Sequence, residues 1–248
     1  MPKIAKPEMD TGRGLREAQW AFVTSRLAAL EPSSANRHLQ VVLPLPYSTG
    51  LRLSETVSLT TSDLEWVSLP HPGTREREEG WWLTMLGKHK HSKVRRVPVP
   101  NRVVAALSQY LVARGFAADP RDQREPVALL VHATDTAARA PWLKFAGAGA
   151  AAPLQPGTLY RQVKRFFQAC ARELTLVDAR GAERLAAAST HWLRHTHISH
   201  GLVAGVPIEV MQQNAGHDSL ATTTRYVTTE DARRMASLKR FLVQTESE

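Results

Sequence analysis

The chain has a single cysteine, Cys170, no apolar run approaching the ~20 residues that a membrane-spanning helix needs, and too few acidic residues to balance its basic ones. One cysteine excludes a disulfide framework and a multi-cysteine zinc site. The absence of a long apolar segment, together with a polar first stretch where a signal peptide would carry its apolar core, predicts a cytoplasmic protein with no membrane partner. No internal repeat or heptad run is visible, so the sequence is not that of a solenoid or a coiled coil.

What is present is the composition of an ordinary globular protein: 248 residues, 43% hydrophobic and 22% charged. A chain of this size buries roughly 70–75% of its extended surface and holds a core without a metal or disulfide, in one or two domains. Lys plus Arg number 32 against 23 Asp plus Glu, a net +9 that favours a polyanionic partner, with nucleic acid first. The densest basic cluster is Lys88, Lys90, Lys93, Arg95 and Arg96, with His89 and His91 between them.

Apolar spacing predicts an amphipathic helix over residues 15–30 and a second, capped by Ser33 or Ser34, running to Val42. Pro44 and Pro46 are expected to stop a helix, because each lacks an amide proton and its ring clashes with the preceding turn. Residues 53–59 read as helical, with Ser54 as the cap. Residues 65–69, 80–88 and 93–99 read as three strands of an antiparallel sheet whose hairpin tip is basic. A helix capped by Asn101 ends at Gly115, and 127–132 reads as one more strand. The Ala/Gly/Pro-rich stretch 136–157 reads as a surface loop or hinge. Thr158 is expected to open a helix whose apolar side is Leu159, Val163, Phe166, Phe167, Cys170 and Leu174. Further helices are predicted over 191–203, 207–214 and 231–241. The fold class is therefore α+β, mostly helical, with one small antiparallel sheet.

Three segments carry chemistry: TGLRLSE at 49–55, HWLRH at 191–195 and GHDSLATTTRY at 216–226. Each alone has an ordinary explanation as surface charge, a solvated helical face or packing. Together, in this order and with a basic hairpin between the first two, they resemble the catalytic domain of the tyrosine recombinases, the phage integrase family of site-specific DNA recombinases. The resemblance covers residues 19–229 and places the family's signature on Arg52, His191, Arg194, His217 and Tyr226, with a lysine from the hairpin. Reading forward through WWLTMLGK puts that lysine on Lys88; reading backward from KVRRVPVP puts it on Lys90. The ungapped strand favours Lys88, which leaves Lys90, Lys93, Arg95 and Arg96 as phosphate contacts.

The chemistry suits these residue types. Two arginines clamp the non-bridging oxygens of a phosphodiester through forked, charge-assisted hydrogen bonds. Histidines exchange protons near neutral pH or hydrogen-bond a phosphoryl oxygen. A lysine protonates the leaving 5′ oxygen, and a phenol, with its ordinary pKa near ~10, becomes a nucleophile once neighbouring cations favour its phenolate or a base takes its proton. The resemblance implies a 3′-phosphotyrosyl link to double-stranded DNA that is exchanged and not hydrolysed, so no ATP, metal or other cofactor and no small-molecule substrate is expected. It also implies a tetramer on two duplexes. His195, His197 and His200 invite a metal reading with His191, but only His191 and His195 have the four-residue helical spacing and no acidic partner lies in that helix, so no metal site is expected, and His195 is read as a residue that supports the site's side chains or packs. Glu55 and Asp63 fall where family members carry acids that orient the first arginine.

Residues 1–18 are read as an N-terminal tail and 19–248 as the catalytic domain, with the family's N-terminal core-binding domain expected to be absent. That expectation leaves two functions in play: a recombinase or integrase acting through Tyr226, and a DNA-binding remnant or accessory protein of the same ancestry that does not cut. A type IB topoisomerase is a third reading that fits the size and motifs less well.

Overall fold

The computed structural model describes residues 13–71, 73–74, 76–85, 94–131, 154–224 and 226. The first helix, α1 (Glu17–Ala28), buries Trp20, Val23 and Leu27 at three- and four-residue steps. Helix α2 (Ser34–Val42) starts where Ser33 Oγ accepts the Asn36 amide at 3.1 Å. The two prolines then do more than interrupt. Leu43 closes α2 and also precedes α3 (Pro44–Thr49), in which Pro44 and Pro46 occupy the first turn. Amides in a first turn have no intrahelical acceptor, so proline loses nothing there, and the expected break becomes a helix start. Helix α4 (Leu53–Thr56) follows with Arg52 as its cap in place of the expected Ser54.

The sheet has the order β1 (Leu64–Pro70), β2 (Arg77–Met85), β3 (Arg95–Val99), antiparallel throughout. Leu83 pairs with Leu64 on one side and Val97 on the other, which puts these residues with Met85 and Val99 on the buried face. Further along the same face Trp66 and Trp81, paired across β1 and β2, meet edge to face at 5.6 Å, and Trp81 packs against the core. The expected hairpin tip, with Lys88, Lys90 and Lys93, lies outside the described residues, as does the expected helix over 231–241. Among the described residues the expected strand at 127–132 is reduced to isolated bridge positions at Ala128, which pairs with Thr60, and Val131. Its backbone bonds to the chain beside α4, Thr61 N to Val127 O and Leu129 N to Leu59 O, are loop-to-loop contacts.

Helix α5 (Asn101–Ala113) ends at Gly115 as expected, but its cap position is Pro100. Helix α6 (Pro156–Leu174) starts two residues before Thr158, with proline in its first turn, and buries all six apolar residues expected of it. Leu154, in the stretch read as surface loop, is also buried. Helix α7 (Ala179–Ala187) was not expected; Asp178 caps it by accepting the Gly181 amide at 2.8 Å. Gln19 of α1 donates to Gly181 O at 2.8 Å and ties the two helices together. Next come α8 (Thr190–Val203), α9 (Ile208–Ala215) and α10 (Leu220–Thr224). One core cluster runs under α1 to α8 and the sheet. A second, smaller one joins Ile198, Met211, Ala215 and Tyr226. Among the described residues no helix is long and apolar enough to cross a membrane.

Candidate active site

The first motif is shaped by Gly50. It closes α3 in the left-handed region, at φ +66°, and a Cβ there would stand 2.7 Å from His197 Cδ2. The Gly50 carbonyl accepts a hydrogen bond from Arg194 Nη1, so the turn that aims Arg52 also receives the second arginine. Gly50→Ala is expected to cost at least ~1 kcal/mol from left-handed strain alone, with displacement of His197 in addition. A urea denaturation midpoint unchanged by the substitution would contradict this packing.

Arg52 is half exposed and held on two sides. Its Nη1 donates to Glu55 Oε1 at 3.0 Å and its amide to Glu55 Oε2 at 2.8 Å, while Nη2 donates to the Gly216 carbonyl at 3.2 Å. Glu55 therefore orients Arg52, as expected. Asp63 does not reach it: its Oδ2 accepts the Thr60 amide and hydroxyl, closing a local turn.

Helix α8 carries His191 and Arg194 to the same place. Arg194 is only 4% exposed; burial, and then the nearby Arg52 and Arg95, lower its pKa to about 10, so it keeps its charge at neutral pH. His191 stands on the exposed side of α8 and meets the His195 ring edge to face at 4.3 Å. Partial burial and the cations Arg194, Arg13 and Arg52 push its pKa down.

His217 follows Gly216, the left-handed C-cap of α9. Its Nδ1 shares a 2.8 Å hydrogen bond with Thr223 Oγ1, and its ring lies nearly parallel to that of Tyr226, 6.3 Å away. Tyr226 is buried, and its Oη shares a 2.6 Å hydrogen bond with Nδ1 of His195. That contact fits the expectation that His195 supports a side chain of the site. Burial outweighs Arg194 and raises the Tyr226 pKa to about 12, opposite to the direction expected from its cations. His197, which sequence reasoning did not place, donates from Nδ1 to the Tyr47 carbonyl at 2.8 Å and packs on Gly50.

These histidines set a pH dependence. Burial, ahead of neighbouring cations, lowers the pKa of His195 to about 3 and those of His197 and His217 to about 4. Unfolded, each takes up its proton near ~6.5, so the folded state binds fewer protons below that pH. Stability is thus fully present above pH ~6.5 and is lost as pH falls towards 4, by up to ~1.4 kcal/mol per pH unit for each of the deeply buried His195 and His197 and by less for the half-buried His217, which solvent screens. A denaturation midpoint flat between those limits would contradict neutral, buried imidazoles.

The basic residues of β3 divide. Arg96 faces outward, 2.6 Å from Glu65 and over the Trp82 ring. Arg95, expected to contact phosphate, points the other way, because strand alternation places it with Val97 and Val99 on the buried face. It ion-pairs with Glu55 at 2.6 Å. Among the described residues no group of three or more His, Cys, Asp or Glu is arranged to hold a metal ion.

Comparison with known proteins bears on this arrangement. The phage integrase family pattern matches residues 23–233. Tyrosine recombinase XerD of Agrobacterium fabrum strain C58 is 30% identical over 192 residues, 77% of this chain and 49% of that protein. Tyrosine recombinase XerC of Myxococcus xanthus is 30% identical over 188 residues, 75% of this chain and 49% of that protein. The chain thus spans about half the length of these curated relatives. In fold it resembles the XerH site-specific recombinase bound to its difH substrate (TM-score 0.58, 19% identity, 91% of this chain and 52% of that one). It also resembles the Tn1549 transposon integrase in complex with transposon right-end DNA (TM-score 0.59, 16% identity, 96% and 68%).

Proposed function

Because the chain belongs to the phage integrase family of tyrosine recombinases, we propose that it breaks and rejoins DNA strands at a specific site through a 3′-phosphotyrosyl intermediate formed by Tyr226. One observation carries this reading: residues far apart in sequence gather at one place. Gly50 O receives Arg194, Gly216 O receives Arg52, and Tyr226 lies between His195 and His217. A DNA-binding remnant would have no use for a phenol held among two arginines and three histidines.

In the proposed reaction Arg52 and Arg194 bind the non-bridging oxygens of the scissile phosphate, and their charge is worth most as negative charge develops in the transition state. Tyr226 Oη gives up its proton and its contact with His195, and forms a bond to phosphorus. The P–O5′ bond breaks, its electron pair goes to O5′, and Lys88 supplies the proton. His191 and His217, both neutral at physiological pH, hydrogen-bond the phosphoryl oxygens or move the tyrosine proton. Attack by a 5′ hydroxyl on the phosphotyrosyl bond reverses the step and joins a new strand. The phosphodiester is conserved, so the exchange needs no ATP.

The proposed partner is double-stranded DNA, bound by the outward face of β3 through Arg96 and by Lys90 and Lys93, with homotetramer assembly on two duplexes. The proposed compartment is the cytoplasm. The test is incubation with nicked suicide duplexes drawn from DNA flanking the gene, read on a denaturing gel. A covalent protein–DNA band supports a strand transferase; salt-sensitive binding without a band supports the non-cutting alternative.

A further inference from the structure

Arg95 has no part in the chemistry above, yet its guanidinium is built into the site. It sits on the inward face of β3 with its side chain 12% exposed. Its Nη2 donates to Glu55 Oε2 at 2.6 Å and lies 3.3 Å from Met85 Sδ. Its side chain packs closely against Gly216: a Cβ on that glycine would come within 2.5 Å of Arg95 Nη1 and 3.1 Å of its Cδ. Gly216 in turn accepts Arg52 Nη2 and precedes His217. One guanidinium therefore touches the carboxylate that orients Arg52 and the backbone that holds both Arg52 and His217.

Resting on the function proposed above, we infer that Arg95 is a positioning residue that acts through Glu55 to keep Arg52 available to the scissile phosphate. The reasoning is electrostatic. Glu55 is one carboxylate set between two arginines, with Oε1 on Arg52 Nη1 and Oε2 on Arg95 Nη2. Without Arg95, Oε2 keeps only the Arg52 amide, and the carboxylate is less restrained from turning onto the Arg52 guanidinium to form the bidentate pair that the two groups prefer. Arg52 would then meet the phosphate with its charge largely matched and its fork occupied. Arg95 divides the carboxylate and leaves the outer edge of Arg52 for substrate. Lysine there would satisfy Glu55 Oε2 as a point charge but lacks the second guanidinium nitrogen that packs against Gly216, so it would restore part of the effect.

The test compares Arg95→Met and Arg95→Lys with wild type in single-turnover cleavage and DNA binding, alongside denaturation midpoints. Arg95→Met is expected to slow cleavage roughly 100-fold, the scale on which a small misplacement acts, while changing Kd less than about 3-fold. Arg95→Lys is expected to recover about tenfold of that loss. A second substrate separates positioning from general damage. Where a methyl group replaces one non-bridging oxygen of the scissile phosphate, the centre carries no charge for Arg52 to match. The Arg95→Met deficit is then expected to shrink to less than about tenfold. An equal deficit on both substrates, or cleavage by Arg95→Met at the wild-type rate, overturns the inference while leaving the recombinase reading intact. Failure of the wild-type protein to form an adduct overturns both.

Discussion

Replacing Tyr226 by phenylalanine is expected to abolish the covalent protein–DNA adduct while leaving DNA affinity within about 3-fold, since phosphate contacts dominate binding and one phenolic oxygen adds little. The ring is held by Ile198, Met211 and Ala215 in the small second core, and those contacts survive the substitution. What is lost is the hydrogen bond to His195 Nδ1, and the unpaired, buried nitrogen is expected to lower stability by about 1–3 kcal/mol. The variant should therefore fold, bind and fail to cut. Cleavage by the phenylalanine variant at the wild-type rate would assign the nucleophile to another residue. The resting position adds a second expectation. With Oη buried, bonded to His195 and its pKa raised to about 12, the free protein should be a poor nucleophile towards small phosphodiesters, and should become competent only when DNA draws Oη away from His195.

Arg194→Ala is expected to reduce single-turnover cleavage by about 1,000-fold or more and DNA affinity by less than tenfold. The guanidinium is almost wholly inside the protein, so it contributes little to the long-range attraction of DNA, which the exposed cations supply. Its effect is concentrated where charge accumulates on the phosphoryl oxygens. The substitution also strips the Gly50 carbonyl of its donor and loosens the turn that aims Arg52, so two clamp residues suffer from one change. Arg194→Lys should remain about 100-fold impaired, because a single ammonium group does not serve the Gly50 carbonyl and the phosphate together. Equal losses in rate and affinity would show that Arg194 acts in binding and not in the transition state.

The parts of the site that were legible in the sequence are those in which residue type and chemistry coincide. Arg52, His191, Arg194, His217 and Tyr226 could be named from three short motifs, and α6 from its apolar spacing. Glu55 was legible through the family resemblance, and its place three residues after Arg52 at a helix start is what lets it meet that arginine across the first turn. The rest depended on tertiary contacts. Nothing local to HWLRH says that His195 turns towards a tyrosine 31 residues away, or that His197 packs on Gly50. Gly50 and Gly216 look like ordinary helix ends; their left-handed φ angles could be inferred, but not the side chains that crowd them. Arg95 was readable and missed. Alternation through RRVPV puts it on the face of Val97 and Val99, whereas its place in a basic cluster suggested solvent and phosphate. Pro44 and Pro46 misled because the rule that proline breaks helices omits the first turn. The cations around Tyr226 were visible in the sequence, whereas the burial that keeps its hydroxyl protonated at rest was not.

The central claim is that Tyr226 forms the covalent link to DNA, and its most direct measurement is the identity of the linked residue and strand end. An end-labelled suicide duplex would be trapped on the wild-type protein, the adduct digested, and the nucleotide-bearing peptide sequenced by mass spectrometry. The account predicts a single modified peptide carrying a 3′-phosphonucleotide on Tyr226, with a free 5′ hydroxyl on the released strand. A nucleotide on any other residue, or a link through the 5′ phosphate, would contradict it.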